Sequence, residues 1–83
     1  MHRLTSRQIT TAILVLKALE KNSAKKSRLT LNELSNETGM TTSSLHRYLE
    51  TLDHVKIVEK TKQGVGIGEK ATSYMIHWLG SQA

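Results

Sequence analysis

Length, charge and composition limit what this chain can be. Its 83 residues suffice for one domain with a small core, because a chain of this size buries only about 60% of its unfolded surface, so an enzyme with a large enclosed pocket is not expected. Twelve Lys and Arg residues against seven Asp and Glu residues give a net charge of +5, which favours a polyanionic partner. The lack of cysteine excludes disulfides and thiolate metal sites, and no apolar stretch is long enough to span a membrane. We expect a single soluble intracellular domain over residues 1–83.

The first predicted element is a helix over residues 6–21. Apolar residues recur at helical spacing from Ile9 to Leu19, and Thr5 or Ser6 can cap the start of the helix. Leu14 and Ala18 fall outside that stripe, so the helix is apolar on more than one face. Such a helix is usually covered from two directions, and we expect a second subunit to provide one of the covers.

Two helices joined by a glycine are predicted within residues 30–53. Thr30 and Glu33 have the spacing of a capping box, T-x-x-E, which starts a helix over residues 31–38. Gly39 ends this helix, in the left-handed conformation that glycine adopts cheaply. Thr41 is suited to cap the next helix, over residues 42–53. The inner stripe of that helix consists of Leu45, Leu49 and Leu52, with Tyr48 beside them.

A change of period after residue 56 predicts a hairpin and a last helix. Residues 57–62 are β-prone, Gln63-Gly64 is a predicted turn, and residues 65–67 return antiparallel. The last helix is predicted over residues 69–79, with Ile76 pointing away from the core. Its predicted inner face consists of Ala71, Tyr74, Met75, Trp78 and Leu79.

Two short helices around a glycine turn, the second apolar inside and polar outside, make a helix-turn-helix. The stretch LTLNELSNETGMTTSSLHRYLETLDHVKIVEK, residues 29–60, resembles the winged helix-turn-helix of bacterial and archaeal transcription regulators. It is most similar to the IclR-type DNA-binding domain, and it also resembles the related MarR-like proteins. The positions that fit this pattern are Leu34, Ser35, Gly39, Met40, Leu45, Arg47, Leu49 and Leu52. The resemblance implies a mainly α fold with a small β-hairpin, the wing, in the order helix, helix, helix, strand, strand, helix.

The segment GIGEKA is similar to the "LTEKG" that ends the wing in many such regulators, but with three departures. Lys56 stands where the family often has glycine, and Gly68 and Ala71 replace the usual threonine and glycine. These departures concern the length and angle of the hairpin rather than the helix-turn-helix. We expect no cofactor, no bound metal and no small-molecule effector.

The predicted DNA contacts lie on the second helix of the motif and on the wing. An α-helix fits the major groove of DNA, and the N-terminal residues of a recognition helix contact base edges. Arg47 is the only long cation on the outer face of this helix, and Thr41 would combine capping with a phosphate contact. The helix contacts are Thr41, Thr42, Ser43, Ser44, His46 and Arg47. The wing and backbone contacts are Lys56, Lys60, Lys62, Gln63, Arg28 and Lys26.

These features predict a homodimeric transcription regulator that binds specific double-stranded DNA in the cytoplasm, associated with the nucleoid. The predicted dimer contacts are Ile9, Ile13, Leu14, Leu16, Ile76, Trp78 and Leu79. Two other functions remain open: a winged-helix protein-interaction module in a larger assembly, and a DNA-organising protein with little sequence preference. His46, Glu50 and His54 share a helical face, but three groups spread over two turns rarely converge on one ion.

Overall fold

Helices and one two-stranded hairpin form the chain over residues 3–82, which a computed structural model describes, with side chains through residue 80. The elements are α1 Ser6–Lys21, α2 Leu31–Thr38, α3 Thr42–His54, β1 Val58–Thr61, β2 Gly64–Ile67 and α4 Ala71–Gln82. The predicted winged-helix order is confirmed. The single-domain prediction extends over residues 1, 2 and 83, which lie outside the described residues, and it stays a prediction.

The helix starts follow the caps that the sequence predicts. Thr5 caps α1, and Thr30 caps α2 in a complete capping box with Glu33. A hydrogen bond from Lys26, with further bonds from Thr30, lowers the pKa of Glu33 from 4.5 to about 2. A lowered carboxyl pKa stabilises the fold above its unfolded value, so this contribution is lost as the pH falls from about 4.5 towards 2. Gly39 ends α2 at φ 75°, the predicted left-handed conformation.

The core lies between the first three helices and is covered by the hairpin and α4. Leu34, Leu45, Leu49, Leu52 and Ile57 are fully buried in it. The positions on α2 and α3 are those that the leucine stripes predict, since these stripes face the other helices.

The burial of α1 differs from the prediction. Val15 and Ala18 are buried, although Ala18 was expected on a second face, because α2, α3 and β2 cover α1 over a wide arc. Ile9 and Ile13, which are predicted dimer contacts, are half-buried and pack against this core. The intrachain core therefore uses most of the apolar surface of α1.

The hairpin turn lies one residue earlier than predicted. Thr61 pairs with Gly64, so Lys62 and Gln63 form the turn, and Gly64 is the first residue of β2. The Thr61 hydroxyl accepts a hydrogen bond from the Gln63 N–H at 3.2 Å and donates one to the Gly64 carbonyl at 3.0 Å. Leu29 adds a bridge to Val65 on the other edge of β2, a pairing that the sequence does not indicate.

The base of the wing rests on a close contact between Lys56 and Gly68. Lys56 has a φ of 70°, and its carbonyl accepts a hydrogen bond from the Lys70 N–H at 2.9 Å. This bond holds residues 69 and 70 in a turn, so α4 begins at Ala71 rather than at the predicted residue 69. Leu79 is 63% exposed and not part of the inner face of α4, which corrects that prediction.

Replacing Lys56 by glycine should stabilise the protein by about 1 kcal/mol, since a left-handed conformation costs a side-chain-bearing residue more than it costs glycine. Urea unfolding would show a higher midpoint with an unchanged slope. Lys17→Gly, at an exposed position inside α1, is the control and should destabilise by about 1 kcal/mol. A Lys56→Gly variant no more stable than the parent would show that the positive φ carries no strain.

Candidate nucleic-acid interface

The outer face of α3 carries polar side chains that the core does not use. Ser43, His46, Arg47 and Glu50 are exposed, while the leucines of the same helix point inward. The amphipathic period of α3 therefore separates a packing face from a face that is free to enter a groove. Thr42 belongs to the same end of the helix but is half-buried.

The first turn of α3 is organised by its cap. The Thr41 hydroxyl accepts a hydrogen bond from the Ser44 N–H at 3.2 Å, and the Thr41 carbonyl accepts one from the Leu45 N–H at 3.0 Å. The N–H groups of Thr42 and Ser43 belong to the helix start, where no intrahelical acceptor exists. The exposed end of α3 thus offers backbone donors and a positive helix dipole to an anion.

The charged residues of α3 differ in whether they have a partner. His46 Nε2 lies 3.3 Å from Glu50 Oε1, one turn along the helix, so a protonated His46 would form an ion pair with Glu50. Within residues 3–82, Arg47 makes no ion pair with a carboxylate. The guanidinium of Arg47 is therefore available to an external acceptor.

Lys26 and Arg28 have partners within the chain that the sequence did not reveal. Lys26 Nζ lies 2.5 Å from Glu33 Oε2, beside the capping box of α2. The Arg28 guanidinium forms an ion pair with Glu59 and donates a hydrogen bond to the Glu59 carbonyl at 3.3 Å. Arg28 is also only half exposed. These two cations hold the segment before α2 against α2 and β1, so less of their charge is available to DNA.

The predicted contacts of the wing lie partly at the tip of the hairpin and partly nearer its base. Lys62 and Gln63 form the exposed tip, whereas Lys56 lies at the base of the hairpin. Lys60 is half-buried, and its N–H donates to Asp53 Oδ1 at 3.1 Å. This hydrogen bond joins β1 to the end of α3 and so helps to fix the angle between wing and helix.

A cleft of about 210 Å³ separates the wing from α3. Lys60, Thr61 and Lys62 line it on one side, and His46 and Leu49 line it on the α3 side. Of the predicted contacts, the structure thus brings Lys60 and Lys62 of the wing beside His46 of α3. Ser44 and Arg47 line a separate groove, between α3 and α1.

The predicted dimer contacts divide into exposed and buried residues. Leu14, Ile76 and Leu79 are exposed large apolar side chains, at 37%, 66% and 63% respectively. Leu16 and Trp78 are each only 8% exposed, because both pack into the core of their own chain. Leu16 and Trp78 therefore offer little surface to a second subunit, and their place in the interface stays a prediction.

Two further observations concern other kinds of site. Within residues 3–82, no group of three His, Asp or Glu side chains is placed to hold a metal ion. None of the helices in this range is both long and apolar enough to cross a membrane.

The arrangement of α2, α3 and the hairpin is that of a winged helix-turn-helix. Domains of this class place the second helix of the helix-turn-helix motif in the major groove of DNA. The family model of the IclR helix-turn-helix domain matches residues 9–62, well over half of the chain. The chain belongs to this family and carries a DNA-binding domain of transcription regulators. No curated protein and no solved structure matches it.

Proposed function

We propose that the protein binds specific double-stranded DNA sequences by inserting the N-terminal end of α3 into the major groove. The observation that carries this proposal is the exposed polar face of α3, with Arg47 free of any carboxylate in the described chain. Arg47 would bind a guanine edge through its two-pronged guanidinium, the commonest specific contact in the major groove. Ser43 and His46 would read neighbouring bases, and Thr41 would remain chiefly a cap.

The wing and the flank of α3 would hold the DNA backbone. Lys60 and Lys62 line the cleft that they share with His46, Gln63 lies at the tip of the hairpin, and these three wing residues would contact phosphates. Glu50 lies farther along α3 and is exposed. If α3 lay flat along the DNA backbone, the Glu50 carboxylate would be repelled by the phosphates. This charge order favours entry by the N-terminal end.

We also propose that the protein acts as a homodimer, and as a transcription regulator associated with the nucleoid. Leu14, Ile76 and Leu79 are the exposed apolar side chains of α1 and α4 that a second subunit could cover. A two-fold dimer would present two α3 helices to successive major grooves, about 34 Å apart, on a pseudo-palindromic site.

Replacing both Lys60 and Lys62 by alanine should weaken binding to all duplexes by a similar factor. The slope of log K against log salt should become shallower by about 0.9 for each lost phosphate contact. Fluorescence anisotropy on labelled duplexes over a salt series would measure both effects. Lys17→Ala with Lys21→Ala removes the same charge on α1, away from the wing, and this control should keep the wild-type slope. Equal slopes for the two double variants would exclude a backbone contact by the wing.

Selection of bound duplexes from a random library tests the function as a whole. We expect enrichment of one pseudo-palindromic sequence, with binding that weakens as salt rises. Equal binding to every duplex would indicate a DNA-organising protein instead. Failure to bind any duplex at low salt would point to a protein-interaction module.

A further inference from the structure

A groove of about 430 Å³ lies between the N-terminal half of α1 and the start of α3, on the side of α3 away from the wing. We call it the α1–α3 groove. Two guanidinium groups and five hydroxyl groups line it together with two apolar side chains, and none of its lining residues is acidic. The polar side chains belong to Arg7, Arg47, Ser6, Thr10, Thr11, Ser44 and Tyr48, and the apolar ones to Leu14 and Met40.

Arg7 occupies a position where its charge does not help the helix. It lies in the first turn of α1, which contains no acidic residue, although the positive end of a helix dipole favours acids there and disfavours cations. Arg7 is exposed and forms no ion pair with a carboxylate of residues 3–82. A cation at the start of a helix, facing a groove without acids, is explained if an external anion binds there.

Thr11 adds a hydroxyl group without a partner in the described chain to the same groove. The residue is only 4% exposed, and its hydroxyl makes no hydrogen bond with any residue of the described chain. Every fully enclosed side-chain oxygen or nitrogen in that range has a partner, so the Thr11 oxygen is accessible to solvent, and Thr11 is one of the residues that line the groove. Its hydroxyl is therefore available to a hydrogen-bond partner in the groove, water included.

The position of the groove indicates which anion it fits. The wing cleft lies on the His46 side of α3, and the α1–α3 groove lies on the side of Ser44 and Tyr48. A major groove is bordered by a phosphate backbone on each side, so a helix inserted between them has a backbone next to each flank. With α3 inserted in this way, the wing would lie beside one of these backbones and α1 beside the other.

We propose that the α1–α3 groove binds the phosphodiester backbone of the DNA strand on the α1 side of α3. Arg7 supplies the charge, and the hydroxyls of Ser6 and Thr10 donate hydrogen bonds to phosphate oxygens. This inference rests on the proposed insertion of α3 into the major groove. It adds α1 to the DNA-binding surface, which the sequence prediction confined to α3, the wing and the loop before α2.

Arg7→Gln in the full chain tests the groove, with Lys17→Gln as the matched control on the same helix. Arg7→Gln should weaken binding about tenfold on selected and unrelated duplexes alike. This loss of affinity corresponds to the contribution of one charge-assisted hydrogen bond. Its salt slope should become shallower by about 0.9, whereas Lys17→Gln should keep the slope of the wild type. Matching affinities and slopes for the two variants would overturn the groove assignment while leaving the α3 assignment intact. If the wild-type chain binds no duplex, both the assignment of α3 and that of the α1–α3 groove are wrong.

Arg7→Glu separates binding from folding. An acid at this position suits the helix dipole, so Tm should equal or exceed that of the wild type, while DNA affinity should fall further than in Arg7→Gln. A Tm below the wild type together with weaker binding would make Arg7 a structural residue and overturn the proposal.

Discussion

Gly68→Ala should destabilise the protein by about 3 kcal/mol, the upper range for overpacking a tight site. A Cβ atom at this position would lie 2.2 Å from the Lys56 carbonyl oxygen and 2.6 Å from the Ile57 carbonyl carbon. Both neighbours are backbone atoms, so no side-chain rotation can relieve the contact. The Gly68 N–H also donates to the Ile57 carbonyl at 2.8 Å, and moving the strands apart would break that bond.

Urea unfolding of Gly68→Ala and of a control glycine variant measures this effect. Gly80→Ala is the control, because Gly80 lies in α4 and a Cβ there would meet nothing within 4 Å. The control should be as stable as the parent or slightly more stable, since alanine is the better helix former. A Gly68→Ala variant within about 0.5 kcal/mol of the parent, the range of ordinary surface substitutions, would show that the wing base is loosely packed.

The same contact explains how this chain departs from the family pattern. The proteins that it resembles often have glycine at the position of Lys56 and threonine at that of Gly68. Here the glycine stands on the other side of the contact, where it lets the chain pass close to the Lys56 carbonyl. Lys56 keeps the left-handed conformation that a glycine would adopt more easily. The two departures thus concern one contact and preserve the hairpin.

Arg47→Ala should reduce affinity for the selected DNA site by 10- to 100-fold, since a bidentate contact to guanine contributes about 1–3 kcal/mol of discrimination. The loss should be smaller on unrelated duplexes, and one base position of the site should become tolerant of substitution. Arg47 is exposed and outside the core, so the free energy of unfolding should not change appreciably.

Competition binding with single-base variants of the selected site measures this loss. Glu50→Ala, one turn along the same exposed face, is the control and should bind DNA at least as well as the wild type, because it removes a negative charge. If Arg47→Ala discriminates among the base variants as the wild type does, Arg47 does not read a base.

Features set by local sequence could be predicted. The Thr30–Glu33 capping box and Gly39 fix the ends of α2 through neighbouring residues, and Thr41 fixes the start of α3 in the same way. The leucine stripe of α3 predicts its inner face because a helix has a fixed period. The outer face is the side opposite this stripe, so the exposed polar residues of α3 could be predicted without knowing how the helices pack.

Features that depend on distant contacts could not be predicted. The bridge between Leu29 and Val65 and the ion pair between Arg28 and Glu59 join residues more than 30 positions apart. The burial of Ala18 depends on which elements cover α1. The presence of Arg7 beside α3 likewise follows from helix packing, and only its unusual place in a first turn could have drawn attention to it in the sequence.

Site-directed cleavage of DNA tests the placement of α3 most directly. The chain has no cysteine, so Ser43→Cys would give a single attachment site for an iron chelate that cleaves nearby DNA. Glu20→Cys, exposed near the end of α1, is the control. If α3 enters the major groove, the Ser43 probe should cleave the selected site with the strand offset of a major-groove source, and the Glu20 probe should cleave weakly or not at all. Equal cleavage from both probes, or a minor-groove offset from Ser43, would contradict the assignment of α3 as the recognition helix.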